Sequence, residues 1–284
     1  MTEVLARLQK VPRVWLYAIA LVLLALPLVI EPRLPAEAAA PTTRALFDLI
    51  DSCPPDKVVL IDSSWDQGSA AENRAQFAAL VQHVVKKRIR FVVTSIGVTA
   101  LAPVFAQGIV EPLANEAGLV YGTDYVLCGF VPGPPGGLAA ILQPLSTEFH
   151  SIYPKDMHNT PMEELPLMRH VRSAKQIHAA VVVTYAPTNE WFTVLRQQAG
   201  VPVGFAAMSI MSPTYYPFYE AGQLAGLLVG NAGAGQYEVL TGKADRGVKL
   251  ALAGSFANVL IIVAALVGNI GWWADRRMKR RVRP

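Results

Sequence analysis

Acidic and hydroxyl side chains follow several apolar, β-branched runs of the chain at the points where those runs end. They are Asp62, Ser63, Ser64, Asp66, Ser95, Thr184, Asn189 and Glu190. Parallel α/β sheets bind their ligands in a crevice outside the carboxyl ends of the strands. These side chains therefore predict a polar crevice that binds a small ligand or supports a hydrolytic reaction.

The same strand ends have a simpler interpretation as helix starts. Ser69 and Glu72 have the spacing of a capping box, and Thr188 is placed to cap the helix that follows it. Hydroxyl and acidic side chains are common at such positions without any catalytic role. We favour capping, with the ligand site as the alternative.

Known nucleotide-binding and hydrolase motifs do not occur in the sequence. There is no Gly-x-Gly-x-x-Gly turn, no Gly-x-x-x-x-Gly-Lys-Ser/Thr loop and no Gly-x-Ser-x-Gly elbow. His150, His158, His170 and His178 lack metal-binding spacing. Asp62 and Asp66 leave a divalent-cation site open as an alternative. We predict no cofactor and no metal, and no catalytic motif assigns an enzyme class.

The two cysteines are too few for a disulfide framework or a zinc site. Cys128 lies in an apolar run and is predicted to be a buried small hydrophobic residue. A disulfide between Cys53 and Cys128 stays open, although Cys53 precedes a Pro-Pro turn that disfavours it.

Three glycines recur every four residues at Gly222, Gly226 and Gly230, after a proline at Pro217 that can open a helix. Glycine costs about 1 kcal/mol relative to alanine in an exposed helix. Three glycines on one face of a helix therefore predict that a second backbone packs closely against that face. Whether that backbone belongs to the same chain or to another subunit stays open.

Aromatic residues precede the glycines at Tyr215, Tyr216, Phe218 and Tyr219, and they predict an adhesive surface or a membrane-interface anchor. The motif runs Tyr216-Pro217-x-x-x-x-Gly222-Gln223-Leu224-x-Gly226 and continues through Gly233-Ala234-x-Gln236-Tyr237-Glu238. In these residues the chain resembles a set of bacterial membrane-tethered α/β proteins. The resemblance implies a span–domain–span layout and carries no catalytic residue over.

The C-terminal apolar stretch Leu250–Trp273 contains 24 residues without formal charge. As a helix it is about 36 Å long, enough to cross a hydrocarbon core of about 30 Å. Trp272 and Trp273 fall at a headgroup position, and six Lys or Arg occur in the last nine residues. Asn258 lies near the middle of this predicted span.

A second apolar run, Val14–Ile30, follows Arg7, Lys10 and Arg13. It is predicted to be a retained signal anchor; a signal peptide cleaved near residues 36–40 is the alternative. The predicted segments are a cytoplasmic N-terminus 1–13, a span 14–30, an extracytoplasmic domain 31–248, a span 249–273 and a cytoplasmic tail 274–284. Positive charge outside both spans predicts that both termini are cytoplasmic. The resemblance implies that the membrane is the inner membrane of a bacterium.

The middle of the chain alternates short β-branched runs with helical patterns. Predicted strands are 57–62, 90–95, 124–130, 179–185 and 201–208, and predicted helices are 69–87, 99–117, 138–151 and 188–199. Strands apolar on both faces indicate a parallel sheet covered on both sides. We predict an α/β fold with a Rossmann- or flavodoxin-like parallel sheet of about five strands. The polar stretch 153–172 is predicted to be an excursion or lid.

The net charge of +4 does not indicate nucleic-acid binding, because the basic tail supplies more than that. The predicted partners are the lipid bilayer and either a second copy of the chain or other subunits of a membrane complex. We predict a structural or assembly subunit that acts through its glycine-rich and aromatic surfaces. The alternative is an extracytoplasmic ligand-binding or hydrolytic domain that uses loop 62–69.

Overall fold

The computed structural model describes residues 12–30, 39–97, 99–133 and 137–282, except for the side chains of residues 13, 275 and 277–282. The predicted cytoplasmic segment up to residue 11, the linker 31–38 and the loop 134–136 lie outside the described residues. The chain divides into two units. One is Leu34–Val248, and the other combines Met1–Arg33 with Lys249–Pro284.

The Leu34–Val248 unit is built on a six-stranded sheet in the order β3-β2-β1-β4-β5-β6, with every neighbouring pair parallel. The strands are β1 (Val58–Ser64), β2 (Phe91–Ile96), β3 (Tyr125–Val131), β4 (Ile177–Thr184), β5 (Val203–Ala207) and β6 (Gly226–Val229). The predicted parallel α/β sheet is confirmed, with one strand more than expected. The order is that of Rossmann-like doubly wound sheets.

Helices connect the strands and continue beyond them. They are α1 (Arg13–Val29), α2 (Pro41–Asp51), α3 (Ala70–Lys86), α4 (Ala102–Glu116), α5 (Ala139–Thr147), α6 (Phe149–Ile152), α7 (Pro166–His170), α8 (Ser212–Glu220), α9 (Gly230–Thr241) and α10 (Arg246–Val282). A π-helix, Phe192–Gln198, links β4 to β5, and 3₁₀ turns lie at Met162–Glu164, Ala174–Gln176 and Ser209–Met211.

Alternate side chains of each strand point to opposite faces of the sheet. One face carries Leu60 and Val182 under α5, α7, α8 and the π-helix. The other carries Val59 and Ile61 under α2, α3, α4 and α9. Because both faces are covered, the strands read as continuous apolar runs, which is why the sequence identified five of them.

The predicted helix that carries all three glycines is wrong. Gly222 follows α8 in a turn, Gly226 begins β6, and Gly230 begins α9 with φ +57°. The close approach inferred from the glycines does exist, but it is internal. A Cβ built at Gly226 would lie 2.5 Å from the Leu46 Cβ of α2.

The stretch 153–172 is part of the core rather than a polar lid. Its short helical turns bury Met162, Leu167 and Met168 against the face of the sheet that carries Leu60. Their spacing is too irregular for a periodicity argument, so the sequence did not show the burial.

The other unit contains α1 and most of α10. Within the described residues, one helix is long and apolar enough to cross a membrane, Arg246–Ala274, and its side chains are largely exposed. The apolar helix Val14–Val29 is shorter than a full span. By length and composition, α10 alone of these two helices is a candidate span, so the predicted pair of spans is not shown.

Candidate functional site

The carboxyl ends of β1 and β4 lie side by side, with Ser64 paired to Thr184. The strand order reverses here, because β2 and β3 extend from β1 to one side and β5 and β6 extend from β4 to the other. Ligands of open α/β sheets bind at this kind of position. The structure therefore brings most of the predicted site residues to one edge, but Asp62, Ser63, Ser64, Ser95 and Thr184 are all buried there.

Asp62 is the centre of a buried polar cluster. Its carboxyl group faces the Ser64 hydroxyl and accepts a hydrogen bond from Thr94 Oγ1 at 2.8 Å. The Ser64 hydroxyl has a single proton, yet it also faces the Ile96 carbonyl oxygen at 2.9 Å. All groups are satisfied if Asp62 is protonated and donates to Ser64 Oγ, which then donates to Ile96. Burial also raises the Asp62 pKa, to about 7.

Trp65 fills the space directly after β1. It is 2% exposed and packs against Phe77 and Phe105, with ring centroids 6.4 and 5.3 Å away. Asp66 and Ser69 then close a turn, in which the Ser69 N–H donates to Asp66 Oδ1 at 2.9 Å and the Asp66 N–H donates to Ser69 Oγ at 3.1 Å. This loop is a packed corner of the domain.

The predicted capping box is wrong. The Ser69 side chain accepts no hydrogen bond from a backbone N–H of α3, and the Glu72 carboxylate binds Ser209 instead of the Ser69 N–H. Glu72 accepts hydrogen bonds from the Ser209 N–H at 2.6 Å and from the Ser209 hydroxyl at 3.0 Å. Asp62 and Asp66 also bind different partners. Within the part of the chain that the structure describes, no group of three or more His, Cys, Asp or Glu side chains could hold a metal ion.

Two buried amides on α3 hold the strand ends together. The Asn73 amide donates to the Thr184 carbonyl at 3.3 Å, and the Gln76 amide donates to the carbonyls of Ala207 at 2.8 Å and Gly230 at 3.3 Å. These residues were not predicted. Their partners lie more than 100 positions away in the sequence, and polar residues in a helix do not by themselves indicate burial.

Hydrogen bonds to Thr184 and Tyr215 of the same domain fix the loop after β4. Thr184 Oγ1 accepts the Ala186 N–H at 3.0 Å, while Asn189 is exposed and Glu190 half-buried. The predicted cap at Thr188 is wrong, because its hydroxyl is buried without a hydrogen-bond partner among the described residues. Tyr215 instead donates to the Ala186 carbonyl at 2.9 Å and accepts the Thr188 N–H at 3.3 Å.

The aromatic cluster before β6 is divided between core and surface. Tyr215 is fully buried against Phe205, so its predicted place on an interface is wrong. Phe218 is half-buried and packs on Phe192, with ring centroids 4.6 Å apart. Tyr216 stays 40% exposed, and the neighbouring Ile210 is 78% exposed.

A second polar network lies at the opposite edge of the sheet. The His83 ring, stacked on Phe47, lies between the Tyr237 hydroxyl at 2.7 Å from Nδ1 and the Asp51 carboxylate at 3.1 Å from Nε2. Asp51 also pairs with Lys87 at 2.7 Å. Burial lowers the pKa of His83, so the neutral ring accepts from Tyr237 and donates to Asp51. Sequence reasoning missed this network.

Cys53 and Cys128 are both free thiols. Cys128 is buried in β3 as predicted, and burial raises the pKa of both thiols, which disfavours nucleophilic chemistry at neutral pH.

Comparison with known proteins gives no relative: no family model, no curated protein and no solved structure matches the chain. Function must therefore be argued from the geometry of the two units.

Proposed function

We propose that this chain is a membrane-anchored α/β subunit that assembles with further copies of itself in the bacterial inner membrane. The anchor is α10, and its amide Asn258 is the observation that carries the proposal. Asn258 is exposed, and among the described residues its side chain has no hydrogen-bond partner. An amide without a partner is costly in hydrocarbon, and a second helix can supply that partner.

The other polar residues of α10 differ from Asn258. The Ser255 hydroxyl donates to the Ala251 carbonyl at 2.9 Å, and the Asn269 amide donates to the Ala265 carbonyl at 2.8 Å. Gly254 and Gly268 have nothing within 4 Å of the place where a Cβ would lie. These small open positions allow a neighbouring helix to come close enough to reach Asn258.

Exposed apolar side chains at the carboxyl edge of the sheet offer a second contact surface. Leu101 and Val104 follow β2, and Ile210 and Tyr216 follow β5, so the two pairs flank the junction of β1 and β4. Copies anchored in one bilayer meet at a high effective concentration. A modest apolar surface is then enough for association between domains.

The filled strand-end loop also favours assembly over catalysis there. Trp65 occupies the space after β1, and the hydroxyls of Ser63 and Ser64 are buried. A ligand in solution cannot reach them without a change in the packing of the loop. The alternative of a ligand-binding or hydrolytic site at 62–69 therefore has less support.

The proposed topology keeps α1 as a second span. Its 17 residues make a helix of about 25 Å, and its apolar side chains are exposed. Thinning of the bilayer or flanking residues can accommodate the shorter length. Basic residues before α1 and after the apolar part of α10 favour cytoplasmic termini and an extracytoplasmic domain.

The test is the mass of the full chain purified in a mild detergent, together with the identity of any co-purifying protein. We expect a homo-oligomer that the double variant Ile210→Asp, Tyr216→Asp weakens. Val120→Asp is the matched control, because Val120 is 58% exposed at the opposite edge of the sheet. A monomer without partners, or equal effects of both variants, would contradict the proposal.

A further inference from the structure

Basic side chains are concentrated at the amino edge of the sheet, on a domain that is acidic as a whole. Residues 34–248 contain 14 Lys or Arg and 18 Asp or Glu, a net charge of −4. In the stretches 86–90 and 243–246, by contrast, six residues are basic and one is acidic. The six, which we call the basic surface, are exposed except for the half-buried Arg90: Lys86, Lys87, Arg88, Arg90, Lys243 and Arg246.

The two stretches form one surface, although about 150 positions separate them in the sequence. The Lys86 ammonium group donates to the carbonyl of Thr241 at the end of α9. Lys86 and Lys243 line the same cleft between the ends of α3, α4 and α9. The first stretch also leads directly into β2, which begins at Phe91, so the basic surface lies at the amino edge of the sheet.

Helix capping explains only part of this charge. Cations are favourable beside the last carbonyls of a helix, and the Arg88 guanidinium donates to the Ala117 carbonyl after α4 at 3.0 Å. A carbonyl group is neutral, so the charges of Lys86 and Arg88 are retained. Lys87 differs, because it pairs with the Asp51 carboxylate at 2.7 Å.

Lys243 and Arg246 have no such explanation. Neither forms an ion pair within the part of the chain that the structure describes. Arg246 begins α10, and the helix macrodipole favours acidic rather than basic residues at that end. The nearby Glu238 carboxylate is 1% exposed and accepts three backbone N–H groups of residues 245–248, so it is already engaged.

The basic surface ends where the chain enters its apolar helix. Leu250, the first residue of the uncharged stretch, follows Arg246 by four residues of the same helix. Four residues of α-helix rise about 6 Å. At physiological ionic strength, charges are screened over about 8 Å. A cation at position 246 is therefore within electrostatic reach of headgroups at the start of the span.

We propose that the basic surface docks the domain on the anionic phospholipid headgroups of the leaflet that it faces. The inference rests on the anchoring of the chain by α10 under the proposed function. An anionic bilayer repels an acidic domain but attracts this one basic edge, so it orients the domain with the amino edge of the sheet towards the lipid. Each Lys or Arg near such a surface strengthens the association about fivefold.

The test compares the full chain in nanodiscs of phosphatidylcholine with the full chain in nanodiscs of equal parts phosphatidylcholine and phosphatidylglycerol. Mass spectrometry measures the acetylation rate of each lysine. We expect Lys86, Lys87 and Lys243 to react about fivefold more slowly in the anionic bilayer, and high salt should remove the difference. Lys155, exposed at the carboxyl edge, should react equally in both.

Two double variants locate the surface. Lys243→Gln, Arg246→Gln removes two cations that form no ion pair, so most of the protection of Lys86 and Lys87 should be lost. Arg74→Gln, Lys155→Gln removes the same charge from exposed positions at the carboxyl edge and should leave the protection unchanged. Melting temperatures in detergent should equal that of the wild type for both. An equal loss of protection in the two variants would overturn the inference, because it would reflect net charge rather than this surface.

The remaining outcomes separate docking from the proposed function. Equal acetylation rates in the two bilayers, with the chain still embedded, overturn docking alone. Protection by soluble glycerol phosphate in detergent also overturns it, since a site for a free anion would explain the result. A monomeric chain that shows the lipid-dependent protection supports docking and contradicts assembly. A chain that alkaline carbonate extracts from vesicles would overturn the anchor and docking together.

Discussion

The Glu238 carboxylate on α9 accepts a hydrogen bond of 2.9 Å from the backbone N–H of Val248 in the first turn of α10. It also accepts the N–H groups of Asp245 at 2.8 Å and Gly247 at 2.7 Å. The first N–H groups of a helix have no partner within the helix, and negative charge is favourable beside them. Glu238 therefore caps the first turn of α10 within the Leu34–Val248 unit.

Glu238→Ala should lower the free energy of unfolding by about 3 kcal/mol, because it leaves buried N–H groups without an acceptor at roughly 1–3 kcal/mol each. Chemical unfolding of the full chain in detergent measures the loss. Glu220→Ala is the control, since Glu220 is exposed at the end of α8 and should change little. Similar losses in the two variants would mean that the cap at α10 contributes nothing of its own.

The second prediction concerns the pH dependence that Asp62 introduces. Its pKa rises from 3.8 to about 7 on folding, so the folded protein holds this proton more tightly than the unfolded chain does. The resulting stability is present below pH 3.8 and is lost as the pH rises through about 7. At 1.36 kcal/mol for each tenfold change in proton affinity, the loss is about 4 kcal/mol.

Asp62→Asn cannot ionise, so it should remove this part of the pH dependence. Unfolding free energies at pH 5 and pH 8 should differ less in Asp62→Asn than in the wild type, with the variant gaining most at pH 8. Glu220→Gln should keep the wild-type difference. If Asp62→Asn and the wild type lose equal stability between the two values, Asp62 does not hold its proton in the folded state.

His83 produces the opposite dependence. Its pKa is lowered by burial, so the folded protein favours the neutral ring. The stability from this group is present above pH 6.5, the ordinary value, and is lost as the pH falls through the lowered pKa. His83→Gln should lower stability at pH 8 through lost packing on Phe47 and reduce the further loss on acidification. Thermal melts at pH 8 and pH 5 test this, and an unchanged acid sensitivity would contradict it.

The sequence predicted the parts of the fold that rest on local patterns. The run Val58–Ile61 is apolar and mostly β-branched, and its burial on both faces follows from a parallel sheet. The strand Gly226–Val229 was missed because four residues after a proline and between glycines fit a helix equally well. What decides it is Leu46 on α2, nearly 200 positions away, whose backbone lies where a Cβ at Gly226 would go.

The candidate site likewise has a part that local sequence patterns predicted and a part that they did not. Polar residues at strand ends were predictable, because parallel strands place their carboxyl ends at one edge. Their burial was not, because it depends on Trp65 and on the amides of Asn73 and Gln76.

Gly226 is a sharp test of internal packing. Gly226→Ala places a methyl group 2.5 Å from Leu46 Cβ and 2.6 Å from Leu46 backbone atoms, so α2 has to move. We expect a loss of roughly 3 kcal/mol or more in unfolding free energy, at the upper end for overpacking. Gly108→Ala in α4 is the contrast, because nothing lies within 4 Å and alanine favours a helix by about 1 kcal/mol.

The two glycine variants also separate internal from intermolecular packing. Gly226→Ala should destabilise the monomer itself. A stable Gly226→Ala monomer that only fails to assemble would instead place this glycine on an interface between subunits.

The last prediction concerns Asn258, on which the assembly proposal depends. Asn258→Leu removes the exposed amide that has no partner within α10 and keeps a similar volume. If a second helix supplies the partner in the bilayer, the variant should shift the purified complex towards the monomer. Double-mutant cycles on such contacts in membranes give about 0.6 kcal/mol on average, which corresponds to a roughly threefold weaker association for each contact. Mass measurement over a range of protein-to-detergent ratios resolves a change of this size.

Asn269→Leu is the matched control, because the Asn269 amide donates to the Ala265 carbonyl of its own helix at 2.8 Å. Leucine there removes the same group from the same helix without removing a contact between subunits, so the mass distribution should stay that of the wild type. Gly254→Leu tests the same helix contact independently of Asn258. It fills an open position on the same helix, so a helix that approaches closely enough to reach Asn258 should be pushed away. Assembly that persists through Asn258→Leu and Gly254→Leu would show that α10 anchors the chain without joining it to another copy.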